Sequence, residues 1–209
     1  MLFLGHVNYL AHFLLAFGDS ELLTGQFIAD AVKGRNFERY PERVSRGILL
    51  HRHIDHFTDT HPECLRLRNL IRPELGLFSS VAIDIYFDHM LAVSWLNWHS
   101  SPLNQFTSAC YAALTESTHQ MPERMIITLG YMRRHDWLTH YATREGIERS
   151  FLGLSTRVTG GERLLKAIPL MDSEFQAIQS SFALFFPELL MSSKLKLSTF
   201  ASGSLLGTH

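Results

Sequence analysis

The sequence predicts a single all-α domain, and three observations carry that expectation. Apolar residues recur at the three-and-four spacing of one helix face along most of the chain, whereas alternating strand patterns are scarce. Proline and glycine punctuate these segments at roughly helical intervals: Gly34, Pro62, Pro73, Gly76, Pro102, Pro122, Gly160 with Gly161, and Pro169. No run of Gly, Pro and Ser is long enough to link two domains, and no repeat is visible. The 209 residues, 46% hydrophobic, therefore read as one compact core.

The first helix is expected over 5–17, within MLFLGHVNYLAHFLLAF. That run resembles a signal peptide but lacks a basic n-region and a small-residue cleavage site, and it carries His6, Asn8 and His12 among its apolar residues. It is also shorter than the ~20 residues that span a bilayer. A buried helix in a cytoplasmic protein is the expectation, with no membrane contact. A second helix covers 20–33. The third, 41–58, opens with Pro41 just inside its start and continues through Val44, Ile48, Leu49, Leu50, Ile54 and Phe57. A shorter helix follows at 62–71. The segment 78–97 is almost wholly apolar apart from Asp84, Asp88 and His89, which predicts a helix buried in the core. Helices at 103–119, 122–141, 143–152, 160–167 and 172–192 complete the domain, expected to span 1–197. The tail from Ser198, rich in Ser and Gly, is expected to be disordered.

A formal net charge of −1 gives no global case for nucleic acid or membrane binding. Two cysteines, Cys64 and Cys110, without metal-ligand spacing, fit a reducing compartment, although spacing leaves one bridge open. The charge distribution says more. All 19 Lys and Arg lie outside 76–119, where the only formal charges are Asp84, Asp88 and Glu116. Acids in an apolar run without basic neighbours need another partner, and a cation is one candidate.

The stretch GILLHRHIDHFTDTH, 47–61, concentrates ligand-type side chains. His51 and Asp55 are four apart and share one helix face, and Asp59 extends the stripe if the helix persists. Arg52 lies beside them. On the second helix Asp84 and Asp88 repeat the spacing, and His89 follows. Asp30, in GQFIADAVKG, is a third carboxylate source. Two helices that each offer carboxylate and imidazole can hold a metal ion between them. Oxygen and imidazole without thiolate suit Mn²⁺, Mg²⁺ or Fe²⁺ better than structural zinc. Such an ion activates water and neutralises a phosphoryl oxygen, and the planar fork of Arg52 suits another. The off-stripe His53, His56 and His61 are expected in solvent, and Arg133 with Arg134 on a solvated face.

NYLAH, GQFIADAVKG, GILLHRHIDHFTD and AIDIYFDHML, in that order, resemble the acyl carrier protein phosphodiesterases. The resemblance runs from about Leu4 to about Leu197 and is sharpest in those four motifs. It implies Mn²⁺-favouring hydrolysis of the phosphodiester that joins phosphopantetheine to a serine of holo acyl carrier protein. It also implies an HD-like helical bundle, although this chain has only the reversed Asp88–His89 pair rather than adjacent His-Asp. Matched motif by motif, the resemblance nominates Asn8 and a ligand set of His12, Asp30, His51, Asp55, Asp84 and Asp88. Arg52, Asp59 and His89 are the expected catalytic residues. An HD-like nucleotide or general phosphate-ester hydrolase, or a helical adaptor without metal, are the rival readings. Nine Lys or Arg against six acids between 31 and 75 would suit an acidic carrier protein as partner.

Overall fold

The computed structural model describes residues 9–201, all helix and turn, with no strand among them. In chain order the helices are α1 (Tyr9–Leu14), α2 (Ser20–Ile28), α3 (Glu42–Thr60), α4 (Pro62–Leu75), α5 (Ser79–Val93) and α6 (Leu103–Glu116). They continue with α7 (Glu123–Arg134), α8 (Trp137–His140), α9 (Arg144–Ser155), α10 (Ala167–Ser173) and α11 (Phe175–Ala201). The all-α single domain expected from periodicity is the fold observed. His6 and Asn8 lie outside the described residues.

The differences from the expected boundaries have local causes. Several expected helix ends tighten into 3-10 turns, such as Ala29–Ala31 after α2 and Trp95–Asn97 after α5. The expected 122–141 helix divides at Asp136, which takes a left-handed conformation (φ 44°) that short polar side chains tolerate. Pro73 does not stop α4. The stop is Gly76, at φ 58°, where a residue with a side chain would be strained. Pro169 falls in the first turn of α10, where its missing N–H costs no intrahelical bond. α11 continues to Ala201, past the Ser198 at which the sequence suggests a tail; 202–209 lie outside the described residues.

α5 is buried on nearly every side, as its all-round apolarity requires. Its Tyr86 hydroxyl donates to the Ala167 carbonyl at 2.6 Å, so even its polar tip is satisfied. α11 covers one side of the core with Phe182, Phe185 and Phe186, which meet Phe87, Phe57 and Trp98. Pro62–Val93 is apolar and long enough to cross a membrane by composition, yet 67% of its apolar window is buried inside the fold. Both cysteines are buried and free, and burial pushes each thiol up to about 12.

One contact decides where the functional residues fall. α2 and α3 cross with Gly25 against Gly47, so closely that a Cβ on Gly25 would lie 2.1 Å from the Val44 carbonyl oxygen. A Cβ on Gly47 would lie 2.4 Å from the Leu22 carbonyl oxygen. Only two glycines permit this backbone-on-backbone packing. His51 sits one turn beyond Gly47, and Asp30 follows shortly after the end of α2. The crossing brings both to one place.

Candidate metal centre

The site assembles around Asp55. On α3, His51 Nε2 lies 3.2 Å from Asp55 Oδ2, the four-residue spacing read from the sequence. The turn after α2 places Asp30 Oδ1 3.5 Å from the same nitrogen. From α1, His12 Nε2 reaches Asp55 Oδ1 at 3.3 Å. The two imidazoles stack, ring centroids 4.0 Å apart and planes 20° from parallel. Both histidines are buried, while Asp55 and Asp30 keep 18% and 25% of their side-chain surface exposed. The cluster therefore opens to solvent along its carboxylate edge.

Gln26, beside Gly25 on α2, orients His12. Its Oε1 accepts from His12 Nδ1 at 2.8 Å, which fixes the tautomer and leaves Nε2 with its lone pair. Burial and the neighbouring His51 charge lower the pKa of His12, so that the ring stays neutral. Burial also opposes charge on His51, but Asp30 and Asp55 outweigh it and raise its pKa to about 9. Asp55 would be raised by burial alone; the two imidazoles overcome that and hold it well below the usual carboxylate range.

The donor set fits a divalent cation. His12 Nε2 and both nitrogens of His51 are buried without a well-aligned hydrogen bond, although carboxylate oxygens stand only 3.2–3.5 Å from the two Nε2 atoms. A neutral His12 turns a lone pair toward a carboxylate oxygen, an unfavourable contact unless a positive charge lies between them. One ligand atom from each of His12, His51 and Asp55 lies within 4.8 Å of the others. That spacing is close enough for the three to be shared by one ion. Asp30 supplies a fourth donor at the rim.

The other residues nominated from sequence take different places. Asp88 is fully buried, and its two oxygens accept from the backbone N–H of Leu10 and Ala11 at 3.0 and 2.9 Å. Its partners are the free donors at the start of α1. Burial pushes its carboxyl well above the usual range, with those two N–H groups pulling the other way. Asp84 is buried one turn earlier, close enough for its charge to add to the burial that raises Cys64 and Asp88. Neither acid belongs to the His12–His51–Asp55 group. His89 points at the Tyr141 carbonyl, Nδ1 to oxygen 2.7 Å, and burial lowers its pKa. Arg52 donates to the Val32 carbonyl at 2.7 Å and lies over Phe37. Asp59, expected to be catalytic, is half-exposed and paired with Arg68 at 2.9 Å, away from the His12–His51–Asp55 group. His61, expected in solvent, is buried: its Nδ1 accepts from Glu63 N to cap α4, and its Nε2 meets Glu188 at 3.2 Å.

Two contributors escape a reading of spacing. Gln26 has no charge or periodicity to mark it. Arg124, on α7, donates to the Asp30 carbonyl at 2.7 Å from far away in sequence. A cleft of about 380 Å³ lined by Phe57, His61, Leu184 and Glu188 lies toward the end of α3, and none of the cluster residues lines it.

Comparison with known proteins bears on the same residues. The model of the family described as acyl carrier protein phosphodiesterase matches residues 7–189. A protein of that name from Enterobacter sp. (strain 638) is 29% identical over 191 residues, covering 91% of this chain and 99% of the relative. One from Escherichia coli O6:H1 is 30% identical over 187 residues, covering 88% and 96%. One from Salmonella agona is 29% identical over 185 residues, with the same coverage. No solved structure matches the chain.

Proposed function

The chain belongs to the acyl carrier protein phosphodiesterase family, and on that premise we propose that it hydrolyses the phosphodiester between phosphopantetheine and the serine of holo acyl carrier protein. The observation that supports a metal-dependent route is the convergence of His12, His51 and Asp55, with Asp30 at the rim, on one half-open cup. These four would hold the ion, for which Mn²⁺ is our first choice and Mg²⁺ or Fe²⁺ the alternatives, given donors without thiolate. When bound, the ion supplies Lewis acidity at a phosphoryl oxygen and lowers the pKa of water.

The chain's own groups do the rest. Gln26 keeps His12 in the tautomer with Nε2 open. Arg52, anchored by the Val32 carbonyl and by Phe37, keeps further N–H groups for a non-bridging oxygen. Asp88 and His89 serve as positioning residues, one fastening the helix that carries His12 and the other tying α5 to Tyr141. Cytoplasmic location, where carrier protein would be met, belongs to the same reading.

The test is a mass measurement. Holo carrier protein incubated with the enzyme and Mn²⁺ should lose the mass of phosphopantetheine. Enzyme stripped with a chelator should remain folded but inactive, because a core of this size does not depend on one ion. Mn²⁺ should restore activity better than Zn²⁺. Turnover that survives exhaustive chelation would remove the metal from the mechanism.

A further inference from the structure

The sequence shows a basic excess between 31 and 75, but the structure neutralises much of it locally. Arg35 pairs with Glu38, Arg43 with Asp19, Arg46 with Glu42, Arg66 with Glu63 and Arg68 with Asp59. A field that attracts a protein partner needs cations without such neighbours.

α7 has them. Arg133 and Arg134 are exposed in its last turn, with no acidic partner among the described residues, and Glu123 is the helix's one acid. On the same solvent side Ile126, Ile127 and Tyr131 stand 40%, 55% and 50% exposed. Gly130 lies in the middle of this face. A glycine inside a helix costs ~1 kcal/mol relative to alanine, usually offset by close packing. Here a Cβ would meet nothing within 4 Å, so no contact within the chain requires the glycine. The first turn of this helix carries Arg124, bound to the Asp30 carbonyl, so the face begins at the candidate metal centre.

We infer that the solvent face of α7, with Gly130, Ile127, Tyr131, Arg133 and Arg134, docks an acidic, partly apolar helix of the carrier protein substrate. Gly130 lets that helix approach the α7 backbone, Ile127 and Tyr131 supply apolar contact, and the two arginines meet its carboxylates. The inference rests on the substrate reading above. Exposed apolar side chains flanking Gly130 favour a protein over nucleic acid.

Full-length wild type, Gly130→Gln and the double variant Arg133→Glu/Arg134→Glu would be compared on holo carrier protein and on bis(4-nitrophenyl) phosphate, with thermal melting alongside. Gly130→Gln should melt no lower than wild type, since glutamine is the better helix former. It should lose roughly tenfold in kcat/KM on carrier protein, and the charge reversal similarly, mainly through KM and with a flatter salt dependence. Turnover of the small diester should stay within about twofold for both, since neither variant touches the metal cluster. Wild-type rates on carrier protein in both variants would overturn the docking face alone. Wild type that neither binds nor cleaves carrier protein while hydrolysing the small diester would overturn the substrate reading, and the docking face with it. Loss of binding to homopolymer RNA with carrier turnover unchanged would reassign the face to nucleic acid.

Discussion

His12 and His51 lie face to face, ring centroids 4.0 Å apart, and both direct Nε2 at the carboxylate of Asp55. Two imidazoles from different helices share one acid, so that acid controls both.

Asp55→Asn should therefore lower Mn²⁺ affinity by about two orders of magnitude or more and abolish hydrolysis, with helical content unchanged. The amide keeps the shape but removes the charge that balances a cation. Isothermal titration with Mn²⁺ reads this directly, and affinity within a few-fold of wild type would exclude Asp55 as a ligand.

Cation binding should be proton-linked. His51, with a pKa of about 9 in the metal-free protein, must lose its proton to act as a ligand. Mn²⁺ affinity should fall up to tenfold for each pH step of one below 9, with about one proton released per ion at pH 7. Stability of the metal-free protein runs the other way. A raised histidine pKa contributes stability fully present below the unfolded value of ~6.5 and lost as pH rises through about 9. The amount is on the order of 3 kcal/mol. Buffer-dependent calorimetry and denaturation at pH 6 and 9.5 measure the two effects. His51→Gln should abolish both.

Gly47→Ala should cost about 3 kcal/mol or more, because its Cβ meets backbone rather than a movable side chain. Pushing α2 from α3 also separates Asp30 from His51, so metal affinity should fall with stability. Chemical denaturation with and without Mn²⁺ tests this. A variant as stable as wild type would mean the two helices do not pack through these glycines.

Asp88→Ala separates anchoring from ligation. Removing the acceptor leaves the Leu10 and Ala11 N–H groups buried and unpaired, which should cost about 2–4 kcal/mol in the metal-free protein. A metal ligand would give the opposite pattern, with metal-free stability kept or raised and affinity collapsing. Urea denaturation in chelator distinguishes them.

How much of this is legible in sequence depends on distance along the chain. His51 and Asp55 declare themselves because helix geometry converts a four-residue spacing into a shared face. His12 does not, because its partners come from α2 and α3 and only the family resemblance selects it. Asp84 and Asp88 show why a buried acid is ambiguous: its cost is offset by a cation or equally by backbone donors, and Asp88 uses the donors of α1. Counting arginines could not reveal which find acids nearby, and Arg43 and Arg46 are examples. His61 looked polar and solvated, but preceding Pro62 it became the cap of a helix start. A signal for the α2–α3 crossing did exist: Gly25 and Gly47 each interrupt a helical pattern where alanine would serve better, as glycines at close approaches do.

The Gly25–Gly47 contact also divides the centre by mobility. Backbone against backbone leaves no side chain to rotate, so α2 and α3 move as one body, carrying Gln26, His51 and Asp55. α1 is fastened at its start by the two hydrogen bonds to Asp88, and α7 reaches Asp30 through the hydrogen bond of Arg124 to its carbonyl. Breathing at the centre therefore belongs to α1 and α7. Amide exchange should be slow from Val44 to His51 and faster in those two helices, and metal loading should protect α1 most, because His12 is the donor that arrives from outside the rigid pair.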